Sequence, residues 1–576
     1  MRKTFVLFIL VSASSALANP WIARIDIQDR AEIATLVDLD FQIYHDELES
    51  VVDLVVSDTD LQILQEMGYQ PYDLVPFPEM DEIDLDPEYH TYIEFTDELQ
   101  ALAAVYPDLC KLDSIGAATQ FQRAIWCMKL SDNPQIEEDE LALLYIGTHH
   151  GNEPLGGETM LLMINTFLEQ YGVDPEITGW MDNYEIFFVP FLNPDGHYAV
   201  TEGINDFWRK NARDIDGDNI YYEFIGGTWW TDDHEGIDLN RNYNWHWDEG
   251  GSSYMWDHDY RGEYPFSEGE TSALKPLVVA QRPVCAISFH SYGEVVIYPW
   301  SMYGQPAPDQ DVLEAKAIVL ADAFIRDNGE AYDYDLYNGN NGQCRNWLYG
   351  FAGCIPFCLE LNPYPIFLPP GNELAERTQR YMNGAVTLFD WMDGPGITGH
   401  IRDAITGQPL AARVEIQGRI SDQVKPRFAE PQYGRYTRLL ENGTYSVLAG
   451  MPGYYVERIT GVNVNNTMTV LDIELTPLVT QAEFTEAKGA VPEFGLRITS
   501  HQSANIELEY VLPSATEVQI QVFNVLGKRV QRIDAGYRDA GNHTLNVDMA
   551  TKPSGVYFVQ IQTDQYSAVN KVMLLK

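Results

Sequence analysis

Between residues 88 and 395 the chain alternates short apolar runs with segments of helical period. Residues 141–146 are almost wholly apolar, which predicts a strand covered on both faces. The segment 157–171 places Met160, Ile164, Phe167, Leu168 and Tyr171 on one stripe, as a helix would. Further strands are expected at 185–191, 284–289 and 357–361, and an amphipathic helix at 311–328. This alternation predicts an α/β fold with a mixed, mostly parallel sheet and flanking helices. After residue 396 the pattern changes to short β-rich runs between Gly, Asn and Pro turns. Two all-β sandwiches are expected there, 396–477 and 495–576, joined by a polar linker, 478–494. Strands of the second should include 518–523, 545–547 and 556–561. Residues 19–87 are acidic and mixed, with a loop-like stretch at 72–78, and read as a propeptide or an N-terminal subdomain.

Length and charge add limits. A chain of 576 residues is too long for one core and implies several domains. Arg2 and Lys3, an apolar run and Ala16-Leu17-Ala18 follow the order of a signal peptide, 1–18. No later stretch has the ~20 apolar residues of a membrane-spanning helix. The expectation is an exported protein without a transmembrane segment. With 36 basic against 86 acidic residues the net charge is −50, which argues against nucleic acid and anionic lipid as partners. Six cysteines in an exported chain suggest disulfides, Cys110–Cys127 and Cys344–Cys354 by proximity, and the absence of a CxxC pair argues against a cysteine zinc site.

The chemistry begins after the 141–146 strand, at Thr148-His149-His150-Gly151-Asn152-Glu153. His150 and Glu153 stand three apart in a turn, so that an imidazole and a carboxylate can reach one ion, and zinc accepts that pair. His149 competes for the same role, and an HxxE pair alone also describes a polar loop. His290 ends the apolar run 284–289, where α/β sheets open into a crevice. Glu360 lies inside the apolar run 357–361, where a carboxylate needs a partner and where metal-assisted hydrolysis could use it as a base. Asp214, Asp216 and Asp218 alternate as in a calcium loop, but without the distal glutamate of an EF-hand; an acidic surface turn is the favoured reading.

Taken in order, HGNE, NPDG, WRK, DLNRNY, SFHSYG, NWLYG and LEL make 88–395 resemble the zinc metallocarboxypeptidases, the group typified by the pancreatic enzymes. The resemblance implies one catalytic Zn²⁺ on His150, Glu153 and His290, with Asp238 orienting His150. It implies Glu360 as general base and acid, Arg209 at the oxyanion, and Asn240 with Arg241 binding a substrate's terminal carboxylate. Tyr337 stands near the family's mobile tyrosine, one residue out of the expected spacing, whereas Tyr349 reads as structural. Arg345 falls at the floor of the family's specificity pocket and implies preference for acidic C-terminal side chains; an arginine turned to solvent or paired with local acids is the competing reading. Residues 396–477 resemble a transthyretin-like or carboxypeptidase regulatory-like sandwich, and 495–576 a type IX secretion sorting domain. The partners implied are peptide or protein C-termini and the secretion machinery, and the location is secreted or cell-surface. A cell-wall muropeptide peptidase on the same fold, or a non-catalytic binding protein, are the alternatives.

Overall fold

The structure, a computed structural model, describes residues 21–28, 31–39, 41–45, 50–76, 88–205, 207–222, 235–302, 305–336, 341–478, 495–502, 505–524, 528–553, 555–563 and 567–574. The expected signal peptide, most of the expected linker and Tyr337 lie outside these. The chain divides into two units, Met1–Leu478 and Val479–Lys576.

The catalytic half is built on eight strands: β1 Cys110–Ala117, β2 Ala124–Leu130, β3 Leu141–Ile146, β4 Tyr184–Val189, β5 Cys285–Ser291, β6 Val295–Tyr298, β7 Asp333–Leu336 and β8 Ile355–Leu361. Their order across the sheet is β7-β6-β8-β5-β3-β4-β2-β1. The central run β8-β5-β3-β4 is parallel, as is β6 with β7, while β6–β8, β4–β2 and β2–β1 are antiparallel. The sheet is therefore mixed and mostly parallel, as expected. Every residue of β5 and β8 is buried, which is why these strands read as continuous apolar runs. The helix Gly371–Ala385 packs against both Leu155–Gln170 and Gln310–Ala323. That last helix stops short of the predicted 328, because the chain folds back there and Ile325 pairs with Ala331.

Residues 21–76 form an antiparallel sheet, Gln42–His45, Val51–Val56, Trp21–Asp26, Tyr72–Pro76, with helices Ala31–Asp38 and Asp58–Met67. Ala23, Ile25, Leu36, Val52, Leu54, Val56 and Leu64 make its own core. The loop expected at 72–78 is thus a strand over Tyr72–Pro76. It lies at the sheet edge and is largely exposed, where proline is tolerated and an apolar pattern is not required. Gly396–Leu475 holds two facing sheets around Ile397, Ile401, Val414, Val447 and Leu475, a β-sandwich as predicted. The second unit is likewise two antiparallel sheets, of three and four strands, around Leu508, Ile520, Val522, Val559 and Ile561. No helix among the described residues is long and apolar enough to cross a membrane.

The disulfides expected from proximity are not formed. All six cysteines are buried thiols. Register explains the first pair: Cys110 stands opposite Leu130 and Cys127 opposite Asp113, three positions apart along adjacent strands.

Candidate metal centre and active site

His150 and Glu153 occupy the turn between β3 and the helix Leu155–Gln170. Two glycines let this turn sit deep. A Cβ on Gly151 would lie 2.5 Å from the Gly196 carbonyl, and one on Gly156 would lie 2.4 Å from Cβ of Phe289 in β5. The second contact seats the helix start directly on the strand that carries His290. Asn193 of NPDG locks the turn from the other side: its Nδ2 donates to the carbonyls of His149 (3.1 Å) and Lys210 (3.0 Å), and its Oδ1 accepts from the amide of Gly196 (2.8 Å).

Two imidazoles and one carboxylate converge there. Nδ1 of His150 lies 2.9 Å from Oε1 of Glu153, Nδ1 of His290 lies 3.0 Å from Oε2, and the two Nδ1 atoms are 3.3 Å apart. Ligands ~2.1 Å from a tetrahedral zinc stand about 3.4 Å from each other, so the donor types and their spacing fit that ion. All three side chains are buried. Burial and Arg209 press the pKa of His150 down, but Glu153 and Asp238 outweigh them and push it up to about 9. Burial pushes Glu153 up, but His150 and His290 carry it well below the usual carboxylate range. The site thus has the electrostatics of a cation seat.

A layer of partners fixes these groups. Nε2 of His150 is 3.2 Å from Oδ1 of Asp238, which also accepts from the Asn240 amide at 2.8 Å. Oδ2 of Asp238 accepts from Nε and an amino group of Arg209 at 3.2 and 3.1 Å. Burial raises Asp238, yet Arg209, Arg241 and His150 hold it far below its ordinary pKa. Another amino group of Arg209 comes within 3.7 Å of Glu153. Arg241 is wholly buried and donates to the Asn240 carbonyl at 3.2 Å, while Oδ1 of Asn240 accepts from the Cys344 amide at 3.0 Å.

His149, the competing ligand, turns away. Its Nε2 meets the Tyr243 hydroxyl at 2.8 Å and its Nδ1 the Ser288 hydroxyl at 3.3 Å; burial first, then His290 and His150, drive its pKa well below the ordinary value. Ser288 also lies 3.1 Å from Nε2 of His290, so one hydroxyl orients both rings. Neither Ser288 nor Tyr243 was singled out from the sequence. The i, i+2 spacing of Ser288 and His290 on one strand face was the available signal.

Glu360 stands opposite His290 in parallel register and is fully buried, with Cys358 Sγ 3.6 Å from its Oε1. Oxygen, sulfur and nitrogen atoms of Glu360, Cys358 and His290 lie within 4.8 Å of one another. Arg345 is buried in the short helix Cys344–Trp347 and donates to Oε1 of Gln343. Tyr349 is built into the core, its hydroxyl donating to Asp309 at 2.9 Å. Asp214, Asp216 and Asp218 form a separate cluster, joined by Glu235.

Two family models match the chain: zinc carboxypeptidase over residues 95–384, half of its length, and secretion system C-terminal sorting domain over 500–575. The chain is 30% identical to the zinc carboxypeptidase of Saccharothrix mutabilis subsp. capreolus over 316 residues, 52% of this chain and 68% of that protein. It is 27% identical to rat (Rattus norvegicus) carboxypeptidase A1 over 315 residues, 52% of this chain and 70% of that protein. The match to carboxypeptidase D of Anas platyrhynchos, 26% identical, covers 68% of this chain but only 27% of that much longer protein. Among solved structures, the carboxypeptidase A from Helicoverpa armigera aligns with TM-score 0.53 at 18% identity, covering 65% of this chain and 97% of that one. The model match spans the sheet and every element of the crevice at its β3, β5 and β8 ends, and with it the chain belongs to the zinc carboxypeptidase family.

Proposed function

We propose that this protein is exported and removes residues one at a time from the C-termini of peptides or proteins. The observation that carries the reading is Glu360, buried and in register with His290 beside the His150–Glu153 pair. His150, Glu153 and His290 would hold the zinc ion, which when bound would supply the Lewis acidity that activates water and polarises the scissile carbonyl. Glu360 takes the proton of the attacking water and returns it to the leaving amine. Arg209, held on Asp238, donates to the oxygen that gains charge as the carbonyl becomes tetrahedral. Asn240 and Arg241 receive the substrate's carboxylate, which makes the chain end the point of recognition. Arg345 favours an acidic last residue. Digestion of a mixed peptide library, with muropeptides in parallel and with and without chelator, tests this: single C-terminal residues should appear from ordinary peptides only while metal is present. Internal cleavage, or release from muropeptides alone, would count against it.

We further propose residues 19–87 as a propeptide, followed by the catalytic domain 88–395, the sandwich 396–477 and the sorting domain 495–576. Support comes from where residues 21–76 sit. Ile22 and Val55 pack with Phe207 and Tyr364, and the hydroxyl of Tyr292, two residues past His290, donates to buried Asp53 at 2.8 Å. Arg24 closes the contact, 2.7 Å from Asp53 and 4.3 Å over the Tyr364 ring. Proteolytic removal of 19–87 should raise kcat/KM; an unchanged value would make this segment a fixed subdomain.

A further inference from the structure

Arg209 and Asp238 touch, yet 28 residues of chain separate them. The two ends of this excursion are zipped together. The amide of Asn211 donates to the Ile237 carbonyl at 3.1 Å, and its side-chain oxygen accepts from the Ile237 amide at 2.8 Å. The Gly236 amide donates to the Arg213 carbonyl at 2.9 Å, and the Ile215 amide to Oε2 of Glu235 at 2.6 Å. At the outer end of this zip stand four carboxylates. Ligand oxygens of Asp214, Asp216, Asp218 and Glu235 all lie within 4.8 Å of one another.

Among the described residues no lysine, arginine or histidine pairs with any of the four, and nearby Arg213 is committed to Glu268 at 2.7 Å. Glu235 is the telling member. It has 0% exposure, its Oε1 finds no hydrogen-bond partner among the described residues, and its carboxylate brings an oxygen within 4.8 Å of an oxygen of each aspartate. A buried carboxylate normally has its charge met by a partner or a metal. The aspartates are placed for the same centre: Asp214 accepts from the amides of Gly217 (2.6 Å) and Asn219 (3.1 Å), Asp216 from Asp218 (3.0 Å), and Asp218 from Ile220 (2.7 Å), which curls the turn around them.

We propose that Asp214, Asp216, Asp218 and Glu235 bind calcium, and that the ion fastens the base of the 214–235 excursion so that Arg209 and Asp238 are held against the metal centre. The donor set selects the ion: all ligands are anionic oxygens on an adaptable turn, which suits calcium, whereas zinc prefers nitrogen and sulfur and magnesium a stricter octahedron. Glu235 supplies the closing carboxylate from 17 residues past Asp218, a position no local loop pattern includes. The coupling to catalysis rests on the role proposed for Arg209; the calcium site does not.

The test uses the full-length protein, stripped of metal and reloaded with zinc alone, and titrated calorimetrically with calcium chloride. One saturable site per chain is expected, with dissociation constant no weaker than ~10⁻³ M. Glu235→Gln and Asp216→Asn should each abolish it at unchanged zinc content, and Asp216 is exposed enough that its variant keeps the fold. Calcium should also raise kcat/KM of the zinc-loaded protein on a free-acid peptide, on the order of tenfold. No saturable binding, or binding unchanged in both variants, overturns the site. Binding without a change in activity overturns the coupling alone.

Discussion

His150, Glu153 and His290 lie buried among groups that answer each of their charges, whereas Asp216 and Asp218 stand in solvent and, like Glu235, pair with no lysine, arginine or histidine among the described residues. Both clusters gather ionisable groups within 4.8 Å, but by different means. The first is assembled largely by the sheet: β3, β5 and β8 end side by side, so the turn after β3 that carries residues 150 and 153 meets residues 290 and 360 on the strands themselves. The second is assembled by a turn and one distant residue, and its cohesion depends on what neutralises it. A site whose charges are matched within the protein reads as preorganised; one whose charges are unmatched reads as waiting for a ligand.

The largest effect expected from breaking the matched site is on chemistry. Glu360→Gln should lower kcat by about 10³-fold, within the range for a general base, while zinc measured by elemental analysis stays at one per chain. Loss of zinc together with activity would instead assign Glu360 to the metal.

A control for the comparison is His197, as deeply buried as His150 but with no carboxylate bonded to it among the described residues. Burial, opposed by its bond to the His90 carbonyl (3.0 Å), pushes it down to about 4 where His150 is pushed up to about 9. The folded protein refuses a proton that the unfolded chain accepts below about 6.5. His197 therefore costs nothing above that pH and withdraws up to about 3 kcal/mol as pH falls towards 4. Denaturant midpoints measured across this window should fall steeply in the parent and less in His197→Gln; parallel curves would contradict the assignment.

Smaller again is the orienting contact behind His150. Asp238→Asn should weaken zinc binding 10–100-fold, on the order found for such outer partners, read by competition with a chelator. An unchanged zinc affinity would leave Asp238 only its bond to Arg209. The smallest effect expected is on selectivity: Arg345→Ile should shift the ratio of kcat/KM for C-terminal Glu against Phe by about tenfold towards Phe, as loss of one charged contact would. An unmoved ratio would return Arg345 to its hydrogen bond with Gln343.

Much of this was legible because sheet physics writes itself into sequence. The buried strands β3, β5 and β8 are apolar runs, and a histidine or glutamate interrupting one stands out. The choice between His149 and His150 was not legible from spacing alone. It depends on which ring faces Tyr243 and Ser288, contacts made by residues 94 and 139 positions away. Glu235 was missed for the same reason, since its place beside Asp214 follows from the pairing of 211–215 with 235–237. The Cys110–Cys127 disulfide failed because closeness in sequence across a β-hairpin does not set register. The strand Tyr72–Pro76 was masked by its edge position, where one partner suffices and the side chains face water.

The central claim, a zinc site that reads a chain end, is tested most directly by one substrate pair: a peptide with a free C-terminal carboxylate and the same peptide as its amide, given to the zinc-loaded and metal-stripped protein. The account predicts release of the last residue from the free acid by the zinc-loaded protein alone. Equal cleavage of the amide would remove the role of Asn240 and Arg241, and cleavage without zinc would contradict the metal centre itself.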